Sequence, residues 1–485
     1  MKINPLNQID FYKADHRSQY PVGTELVFSN LTPRKSIDGK VDDVVFFGLQ
    51  YFIKEYLMFK WNKYFFEEPK EKVVNDYKRR IETSLGKGAI TFEHIEALHD
   101  LGYLPIEIKA LPEGSLIPFK VPCLVIYNTK PEFFWLTNYL ETILSCVLWG
   151  ACTSATTAYR YKKILNEYAD LTVGNRNFVQ WQGHDFSFRG MFGFEAACIS
   201  GAGHLLSFTG TDTIPAIDFH ENYYGANAES ELIGASVPAT EHSVMCMGSE
   251  ENEIGTFKRL ISEIYPNGIV SIVSDSWDFW RVITEYLPQL KEMVLARQGK
   301  VVIRPDSGDP VKIICGDKDA AIGSPEYKGA IECMWEIFGG TTTDKGFKLL
   351  DSHIGLIYGD SITVDRCKQI CQNLMDKGFA SFNVVLGIGS YTYQYVTRDT
   401  MGFAMKATYG EIDGKPKEIF KKPKTDNGGK ISAKGLVAVD DSHGKFLLVD
   451  QVDWNRVNNC QLKTVFKDGK LTIDQSLKEI RDRLK

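Results

Sequence analysis

Short, fully apolar runs appear from Ile269 onward, and each ends in glycine or polar residues. Four stand out, namely IVSIVSDS (269–276), KVVIRPDSG (300–308), HIGLIYGDS (353–361) and FNVVLGIGS (382–390). Successive apolar positions are typical of parallel strands that are buried on both faces. The pattern therefore predicts four buried parallel strands.

Segments with helical periodicity follow two of these strands. DSWDFWRVITEYLPQL comes after the first strand and TVDRCKQICQNLMDKG after the third. The first two strands begin about 30 residues apart, as do the last two, which is the length of one βαβ unit. These features predict an α/β fold, either a barrel or a doubly wound sheet, with ligands at the carboxyl ends of the strands.

The two ends of the chain carry other patterns. Within residues 1–150 the stretch VVFFGLQYFIKEYLMFKWNKYFF predicts amphipathic helices among a few strands. After about residue 402, short alternating strands with turns such as DGK and HGK lead to an amphipathic helix near 475–484. We expect an α+β segment at 1–150, an α/β region at 151–400 and a C-terminal segment at 401–485 that packs with the N-terminal one.

Composition and charge narrow the class of protein. Hydrophobic residues make up 44% of the 485 residues and charged residues 24%, as in ordinary globular proteins. A net charge of −6 argues against a general nucleic-acid binder, although a local basic pocket could still hold a small anion. No run approaches about 18 apolar residues and no signal-peptide pattern opens the chain. We expect a cytoplasmic protein that does not enter a membrane.

Ten cysteines are spread from Cys123 to Cys460 without a CxxC pair. Cys367 and Cys371 are the only close pair, and they are four residues apart on a predicted helix. Free cysteine is among the most buried residue types. We therefore expect all ten to be reduced core residues.

Polar residues and glycines cluster at the ends of the predicted strands. They are Asp275, Arg304, Asp306, Gly359, Asp360, Gly387 and Gly389. In RPDSG, Arg304 and Asp306 are two positions apart, so a guanidinium for phosphate and a carboxylate for ribose hydroxyls can point the same way. An ordinary Arg–Asp ion pair at a barrel rim explains the same spacing. The glycines would let backbone N–H groups approach a phosphate, or would simply end the strands.

The segment GHDFSFRGMFGFEAACISGAGHLLSFTGTDT contains residues suited to a flat polar ring. Phe186 offers an aromatic face, and Arg189 and Asp212 offer a cation and a carboxylate. A carboxylate accepts a hydrogen bond from a carboxamide NH₂ and repels another carboxylate. Core packing is the competing explanation for Phe186.

VPATEHS places His242 beside Glu241. His242 is either a structural residue or a nucleophile that accepts a phosphoryl group. The chain contains no HxxxH, HExxH or Cys/His cluster for zinc and no GxxxxGK[ST] loop for ATP. If a metal takes part, we expect Mg²⁺ that arrives with a phosphorylated substrate.

Together, DFYKADHRSQYP, GHDFSFRG, FTGTDT, VPATEHS, VSDSWD, IRPDSGDP, YGDS and TRD resemble the nicotinamide phosphoribosyltransferase family in order and spacing. The resemblance runs from Asp10 to the FKDGK segment near the C-terminus. It implies a type II phosphoribosyltransferase, in which an irregular TIM-like α/β barrel is joined to a mixed α+β domain built from both ends of the chain. It also implies a homodimer that makes nicotinamide mononucleotide from nicotinamide and phosphoribosyl pyrophosphate for NAD biosynthesis.

The same resemblance implies roles for individual residues. Phe186 and Tyr12 would sandwich the nicotinamide ring, with Tyr12 and Asp10 coming from the second subunit, and Arg189 and Asp212 would hold the carboxamide. The ribose and phosphates would contact Asp275, Arg304, Asp306, Gly359, Asp360, Gly389 and Ser390, with Ser271 as a further substrate contact and Arg34, Arg398, Lys406, Lys421 and Lys430 as a basic cluster. ATP would phosphorylate His242, and Mg²⁺ would accompany the pyrophosphate. Catalysis would then depend on His242, Asp275 and Asp306.

Three other functions fit parts of the pattern. A nicotinate phosphoribosyltransferase would use the same chemistry on an acid, but Asp212 would repel that acid. A barrel lyase or isomerase would need a Lys or Glu base at a strand end, and none is evident. A non-catalytic binding protein on the same scaffold would be expected to lose some of these polar residues.

Overall fold

A computed structural model describes residues 3–359, 361–421 and 432–485. They fall into two compact units. The first unit contains the residues up to Thr156, Phe219–Ala226 and the residues from Val396 onward. The second unit contains Thr157–Asp218 and Asn227–Tyr395. The division of the chain into domains with boundaries near residues 150 and 400 stays a prediction.

The strands are numbered in chain order. They are β1 (Thr24–Thr32), β2 (Asp43–Val45), β3 (Ile106–Ala110), β4 (Leu116–Pro118), β5 (Leu124–Asn128), β6 (Gly183–Asp185), β7 (Gly210–Thr211), β8 (Asn267–Val273), β9 (Gln298–Arg304), β10 (Gly340–Thr342), β11 (Lys348–Leu350), β12 (Ile354–Tyr358), β13 (Val384–Ile388), β14 (Ala404–Ile412), β15 (Lys415–Glu418), β16 (Leu436–Ser442), β17 (Lys445–Val452), β18 (Lys463–Lys467) and β19 (Lys470–Leu471).

The helices are numbered in the same way. They are α1 (His16–Gln19), α2 (Leu49–Tyr51), α3 (Lys70–Leu85), α4 (Glu93–Leu101), α5 (Leu136–Tyr139), α6 (Glu141–Thr172), α7 (Val179–Gln182), α8 (Phe194–His204), α9 (Ile214–Tyr224), α10 (His242–Met247), α11 (Glu253–Arg259), α12 (Phe279–Arg281), α13 (Leu287–Leu295), α14 (Pro310–Cys315), α15 (Pro325–Lys328), α16 (Ala330–Phe338), α17 (Val364–Asp376), α18 (Ser390–Gln394), α19 (Trp454–Asn458) and α20 (Leu477–Arg483). Wider helical turns continue α2 through Phe52–Lys60 and Asn62–Phe66, α11 through Leu260–Ile264, and α12 through Val282–Tyr286.

The first unit is built on a seven-stranded sheet in the order β15-β14-β1-β5-β3-β18-β19. Its strand pairs are antiparallel, and β1 pairs with β14 on one side and with β5 on the other. β3 pairs with β18. Strands from both ends of the chain therefore share one sheet.

The second unit is built on a parallel sheet in the order β7-β6-β13-β12-β9-β8. The segment Ala235–Thr240 joins its two edges. Ala235 exchanges backbone hydrogen bonds with Thr209 and Thr211 beside β7. At the other end, Ser271 of β8 donates to the Pro238 carbonyl and accepts from the Thr240 N–H. The sheet thus closes into an irregular barrel, which confirms the expected α/β fold class.

The four strands predicted from apolar runs are β8, β9, β12 and β13, and they are confirmed. The predicted helices are also present as α12 with α13 and as α17. Side chains on β9 alternate in direction, as a pleated strand requires. Val301 and Ile303 pack in the core, whereas Val302 and Arg304 line a cavity inside the barrel.

All ten cysteines are unpaired. Eight are buried, but Cys146 and Cys246 are exposed, so the prediction of burial is wrong for these two. They lie on the solvent-facing sides of α6 and α10. Among the helices that the structure describes, none combines the length and hydropathy required of a membrane-spanning segment.

Candidate active site

A cavity of about 390 Å³ lies inside the barrel of the second unit. Polar and aromatic residues at or near the carboxyl ends of the strands, with one residue of the closing segment, line one part of it. They are His184, Phe186, Asp212, Ser236, Ser271 and Arg304. The structure therefore brings together four residues that the sequence assigned to substrate, namely Phe186, Asp212, Ser271 and Arg304.

Asp212 follows β7, and its side chain is 44% exposed. Its Oδ1 accepts hydrogen bonds from His184 Nε2 at 2.9 Å and from Ser236 Oγ at 2.6 Å. Burial alone would raise the pKa of Asp212, but these two hydrogen bonds and the nearby charges of His184 and Arg304 hold the pKa below its usual value. The carboxylate is therefore ionised near neutral pH.

Phe186 follows β6, and its backbone N–H donates to the Ile388 carbonyl at 3.0 Å. Its ring lies against the end of β13, where a Cβ on Gly387 would come within 2.7 Å of it. The ring centroid is 4.5 Å from that of His184, at an interplanar angle of 37°. Gly387 thus makes room for an aromatic side chain that faces the cavity. Its predicted phosphate role stays a prediction.

Asp275 follows β8 and is almost buried, with 5% of its side chain exposed. Its Oδ2 accepts backbone hydrogen bonds from Asp306 at 2.9 Å and Ser307 at 2.8 Å. Its Oδ1 lies 3.2 Å from His242 Nε2. Burial would raise the pKa of Asp275, but hydrogen bonds from Ser307 and Asp306 and the nearby His242 lower it overall. Asp275 therefore connects the RPDSG turn to the start of α10.

Arg304 ends β9 and donates to the Thr240 carbonyl at 2.8 Å. Its Nε is 3.7 Å from Asp306 Oδ1, so the ion pair expected at the barrel rim is present. The distance is too long for a hydrogen bond, and among the described residues the buried Nε has no hydrogen-bond acceptor. The buried Nε thus faces the Asp306 carboxylate without a hydrogen bond to it.

Gly359 lies beside Asp306. A Cβ on Gly359 would come within 1.9 Å of Asp306 Oδ1, so only glycine fits there without moving the carboxylate. The hydroxyl of Tyr358 donates to the carbonyls of Ser307 and Gly308 at 2.8 and 3.0 Å, which braces the same turn. Asp360, the next expected site residue, lies outside the described residues.

The loop residues Gly389 and Ser390 precede and begin α18. A Cβ on Gly190 would come within 2.0 Å of Ser390 Oγ, so the turn Phe188–Gly190 packs closely on Ser390. Arg189 is exposed on that turn and is not among the residues that line the cavity. Its predicted contact with a carboxamide stays a prediction.

The remaining expected residues belong to the first unit. Tyr12 is 61% exposed, and Asp10 Oδ2 accepts a hydrogen bond from Thr142 Oγ1 at 2.8 Å. Arg34 Nε donates to the Gly402 carbonyl at 2.9 Å, and Arg398 is 3.6 Å from Asp399.

Lys406 has a lowered pKa. Desolvation is the largest cause, and Arg34, Lys421 and Lys13 add to it, while Glu141 opposes it. Arg34 and Lys421 therefore lie near enough to Lys406 to affect its pKa, and the phosphate role of the basic cluster stays a prediction. Lys430 lies outside the described residues.

His184, Ser236 and Thr240 were not identified from the sequence. His184 could have been, because it is two positions before Phe186 and alternate residues of a strand share a face. Ser236 and Thr240 lie on the segment that closes the barrel, which carries no strand-like pattern.

Comparisons with known proteins agree with this geometry. Residues 181–470 match the profile described as the nicotinate phosphoribosyltransferase (NAPRTase) family, and residues 4–108 match the nicotinamide phosphoribosyltransferase N-terminal domain. The chain is 57% identical to nicotinamide phosphoribosyltransferase of Acinetobacter baylyi, over 100% of this chain and 97% of that protein. This chain belongs to the nicotinamide phosphoribosyltransferase family. Another family member, from Mycoplasma pneumoniae, is 35% identical over 89% of this chain and 96% of its own.

Two solved structures share the fold of this family member. Nicotinate-nucleotide pyrophosphorylase from Pyrococcus furiosus matches with a TM-score of 0.57 at 14% identity, covering 100% of this chain and 95% of that one. Human nicotinic acid phosphoribosyltransferase matches with a TM-score of 0.57 at 16% identity, covering 98% and 92%. At such low identity these matches support the fold alone.

Proposed function

We propose that this chain transfers the phosphoribosyl group of phosphoribosyl pyrophosphate to the ring nitrogen of nicotinamide, giving nicotinamide mononucleotide and pyrophosphate for NAD biosynthesis. One observation carries the proposal. Phe186 and the ionised Asp212 lie in the same cavity as Arg304, which is paired with Asp306. A platform for a flat ring with an amide group is thus next to groups that suit a sugar phosphate.

The nicotinamide half of the site follows from three side chains. The ring would stack on Phe186, and the carboxamide NH₂ would donate to Asp212. The Ser271 hydroxyl is buried in the same cavity without a hydrogen-bond partner among the described residues, so it is free to donate to the carboxamide oxygen. Together these contacts would fix the ring nitrogen toward the sugar.

In the phosphoribosyl half of the site, catalysis would depend on how the ribose and pyrophosphate are positioned relative to the pyridine nitrogen. The pyridine nitrogen forms a bond to C1 of the ribose while the bond from C1 to the pyrophosphate oxygen breaks, and both electrons of that bond leave with pyrophosphate. Arg304 would stabilise the negative charge and Asp306 would hold ribose hydroxyls. Asp275 would orient the turn that carries Asp306, because it accepts that residue's backbone N–H.

Mg²⁺ would arrive with the pyrophosphate group and screen its charge. The described residues contain no group of three or more carboxylate, histidine or cysteine side chains able to hold a metal by themselves. Both Asp275 oxygens contact other groups, and Asp306, beside Arg304 at the end of β9, would lie near a hydrated ion that the pyrophosphate brings. The donor set therefore fits a cation that is carried mainly by its substrate.

We also propose that ATP stimulates the reaction by phosphorylating His242. The side chain is 47% exposed at the start of α10, so a phosphoryl donor can reach it. Asp275 Oδ1, 3.2 Å from Nε2, would hold the ring in one orientation. A phosphohistidine would then lie next to the turn that binds ribose.

A homodimer is proposed as the working form, with Asp10 and Tyr12 reaching the partner's site. Phe11 and Tyr12 are 54% and 61% exposed, which supports the presence of a surface that covers them. The cytoplasmic location expected from the sequence stays a prediction.

A second candidate is nicotinate phosphoribosyltransferase, because the profile that matches residues 181–470 is named for that activity. The nicotinate carboxylate would meet the ionised Asp212 in the same cavity, and the two negative charges would repel each other.

The deciding experiment is incubation of the protein with phosphoribosyl pyrophosphate and Mg²⁺, and with either nicotinamide or nicotinate. Chromatography would identify the mononucleotide. We expect nicotinamide mononucleotide to form much faster than the acid product. A preference for nicotinate would replace the proposal with the second candidate, and absence of both products would refute both.

A further inference from the structure

The Asp212 carboxylate is held at one oxygen only. Oδ1 accepts from both His184 Nε2 and Ser236 Oγ, and the Asp212 backbone N–H donates to the Asp185 carbonyl at 2.9 Å. Oδ2 makes no hydrogen bond with any side chain or backbone group that the structure describes. Because the carboxylate is an acceptor only, His184 must carry its proton on Nε2. His184 is therefore the hydrogen-bond donor and Asp212 the acceptor in this contact.

His184 itself has a defined place in the barrel. On β6 it is paired with Gly387 of β13 and Gly210 of β7, and it is buried. A Cβ on Gly210 would come within 2.8 Å of His184 Nδ1. Glycine at this position leaves the space that the imidazole ring occupies. The same ring contacts Phe186, so it touches both the aromatic platform and the carboxylate.

We propose that His184 is a positioning residue for substrate selection. Together with Ser236 it fixes Oδ1 of Asp212, so that Oδ2 is presented to the primary carboxamide of a heteroaromatic ring stacked on Phe186. The proposal rests on the nicotinamide phosphoribosyltransferase activity proposed above. It assigns orientation to His184 and Ser236, and charge to Asp212.

This division of roles separates two kinds of variant. His184→Ala leaves the negative charge of Asp212 in the cavity but lets the carboxylate rotate. Nicotinamide should then bind more weakly, while nicotinate is still repelled. Asp212→Ala removes the charge itself, so nicotinate should be used better. Distortion of the barrel would instead affect both substrates and phosphoribosyl pyrophosphate together.

The test is steady-state kinetics on folded wild type, His184→Ala, His184→Gln, Ser236→Ala and Asp212→Ala. Since a hydrogen bond to a charged group is strong, His184→Ala should raise the KM for nicotinamide about tenfold. The KM for phosphoribosyl pyrophosphate and the rate with nicotinate should stay at the wild-type values. Ser236→Ala should act in the same direction. His184→Gln should recover most of the loss, because the glutamine amide can place a donor near the Nε2 position.

His353→Ala is the matched control. It removes a histidine–aspartate contact of the same kind, His353 Nδ1 to Asp351 Oδ1 at 2.6 Å, in the turn before β12. The KM for nicotinamide should not change. Gly210→Ala offers an independent perturbation, because its Cβ would displace the His184 ring, and it should raise the same KM.

An unchanged KM for nicotinamide in His184→Ala would overturn the proposal. So would equal losses for nicotinamide and phosphoribosyl pyrophosphate, or failure of glutamine to improve on alanine. If wild type makes no mononucleotide, the proposed function fails instead. Calorimetric titration of nicotinamide onto wild type and His184→Ala then decides the positioning role, and equal Kd values would reject it.

Discussion

Asp275 links two parts of the site through one carboxylate. Its Oδ2 accepts the backbone N–H groups of Asp306 and Ser307, and its Oδ1 faces His242. Because the fold lowers the pKa of Asp275, its contribution to stability is fully present above its ordinary pKa of about 4. That contribution is lost as the pH falls through the lower folded value. The geometry around His242 should therefore persist in mildly acidic solution.

We predict that His242→Ala abolishes the stimulation by ATP but leaves slow synthesis of nicotinamide mononucleotide without ATP. The imidazole is the proposed phosphoryl acceptor, and it does not line the cavity that we propose for the substrates. Rates with and without ATP, and incorporation of radiolabel from γ-labelled ATP, measure the effect. His443→Ala, on the turn between β16 and β17, is a control that should keep the ATP response. An undiminished ATP response in His242→Ala would reject the phosphohistidine.

Individual residues with distinctive chemistry could be identified from the sequence. Arg304 and Asp306 stand out because two charged residues directly follow an apolar run. His184 does not, because an isolated histidine is more often structural and its role depends on Asp212, 28 positions away. Sequence order shows which groups a strand presents, but the partner across the barrel depends on tertiary structure.

Among the secondary-structure elements, the carboxyl ends of neighbouring strands position the candidate site. β8, β9 and β12 are neighbours in the sheet order, so the residues that follow them meet at one rim. The segments that follow neighbouring strands approach each other closely, and glycine is required where a side chain would collide with the neighbouring segment. Gly359, after β12, lies against Asp306, after β9. Glycine directly after β12 therefore allows close packing, whether or not it also contacts a phosphate.

We predict that Gly359→Ala raises the KM for phosphoribosyl pyrophosphate at least tenfold. The new Cβ would lie 1.9 Å from Asp306 Oδ1 and must displace that carboxylate. Gly150→Ala is the control, because a Cβ there meets nothing within 4 Å. Steady-state kinetics with thermal melting would separate a local change from unfolding. Wild-type kinetics in Gly359→Ala would show that the Asp306 side chain can move without consequence.

Within the parallel sheet, the longer strands could be predicted and the short ones could not. β8, β9, β12 and β13 have five to seven residues and leave clear apolar runs. β6 and β7 have three and two residues, and the closing segment Ala235–Thr240 pairs through isolated bridges. Elements this short bury too few consecutive side chains to produce a periodic pattern, although His184 and Ser236 lie on them and Phe186 and Asp212 directly follow them.

Each compact unit of the whole molecule combines distant parts of the chain. In the first unit the buried Glu113 accepts hydrogen bonds from the backbone of Gly48 and Gln50 and from the Tyr224 hydroxyl. Gln50 in turn exchanges hydrogen bonds with the backbone of Gln475. Contacts over such separations in sequence could not be predicted from local pattern.

The stability of the molecule should depend on pH through Glu253, at the start of α11. Its side chain is buried, and burial raises its pKa to about 7, with Glu250 and Asp278 adding to the rise and Arg281 opposing it. An unfolded glutamate has a pKa of about 4.3. Because the folded pKa is raised, the contribution of Glu253 to stability is fully present below its unfolded pKa and is lost as the pH rises through about 7.

We therefore predict that Glu253→Gln raises the Tm at pH 8 by a few degrees relative to wild type and has little effect at pH 4.5. Thermal melts of both proteins across this range would measure the difference. Glu251→Gln, two residues earlier and exposed, is the control and should show no such pH-dependent gain. A constant difference at every pH would reject a role for the ionisation of Glu253.

The segment Ala235–Thr240 has a consequence for evolution and for protein engineering. This segment closes the barrel, and its Ser236 hydroxyl donates a hydrogen bond to Asp212. The carbonyl of Thr240, which is two residues before His242, accepts a hydrogen bond from Arg304. If Asp212 and Arg304 have their proposed roles, changes in this segment that alter selection of the base will also disturb the group that contacts the sugar phosphate. Substitutions here should show strong epistasis, so a new specificity would be reached more easily by compensating pairs than by single steps.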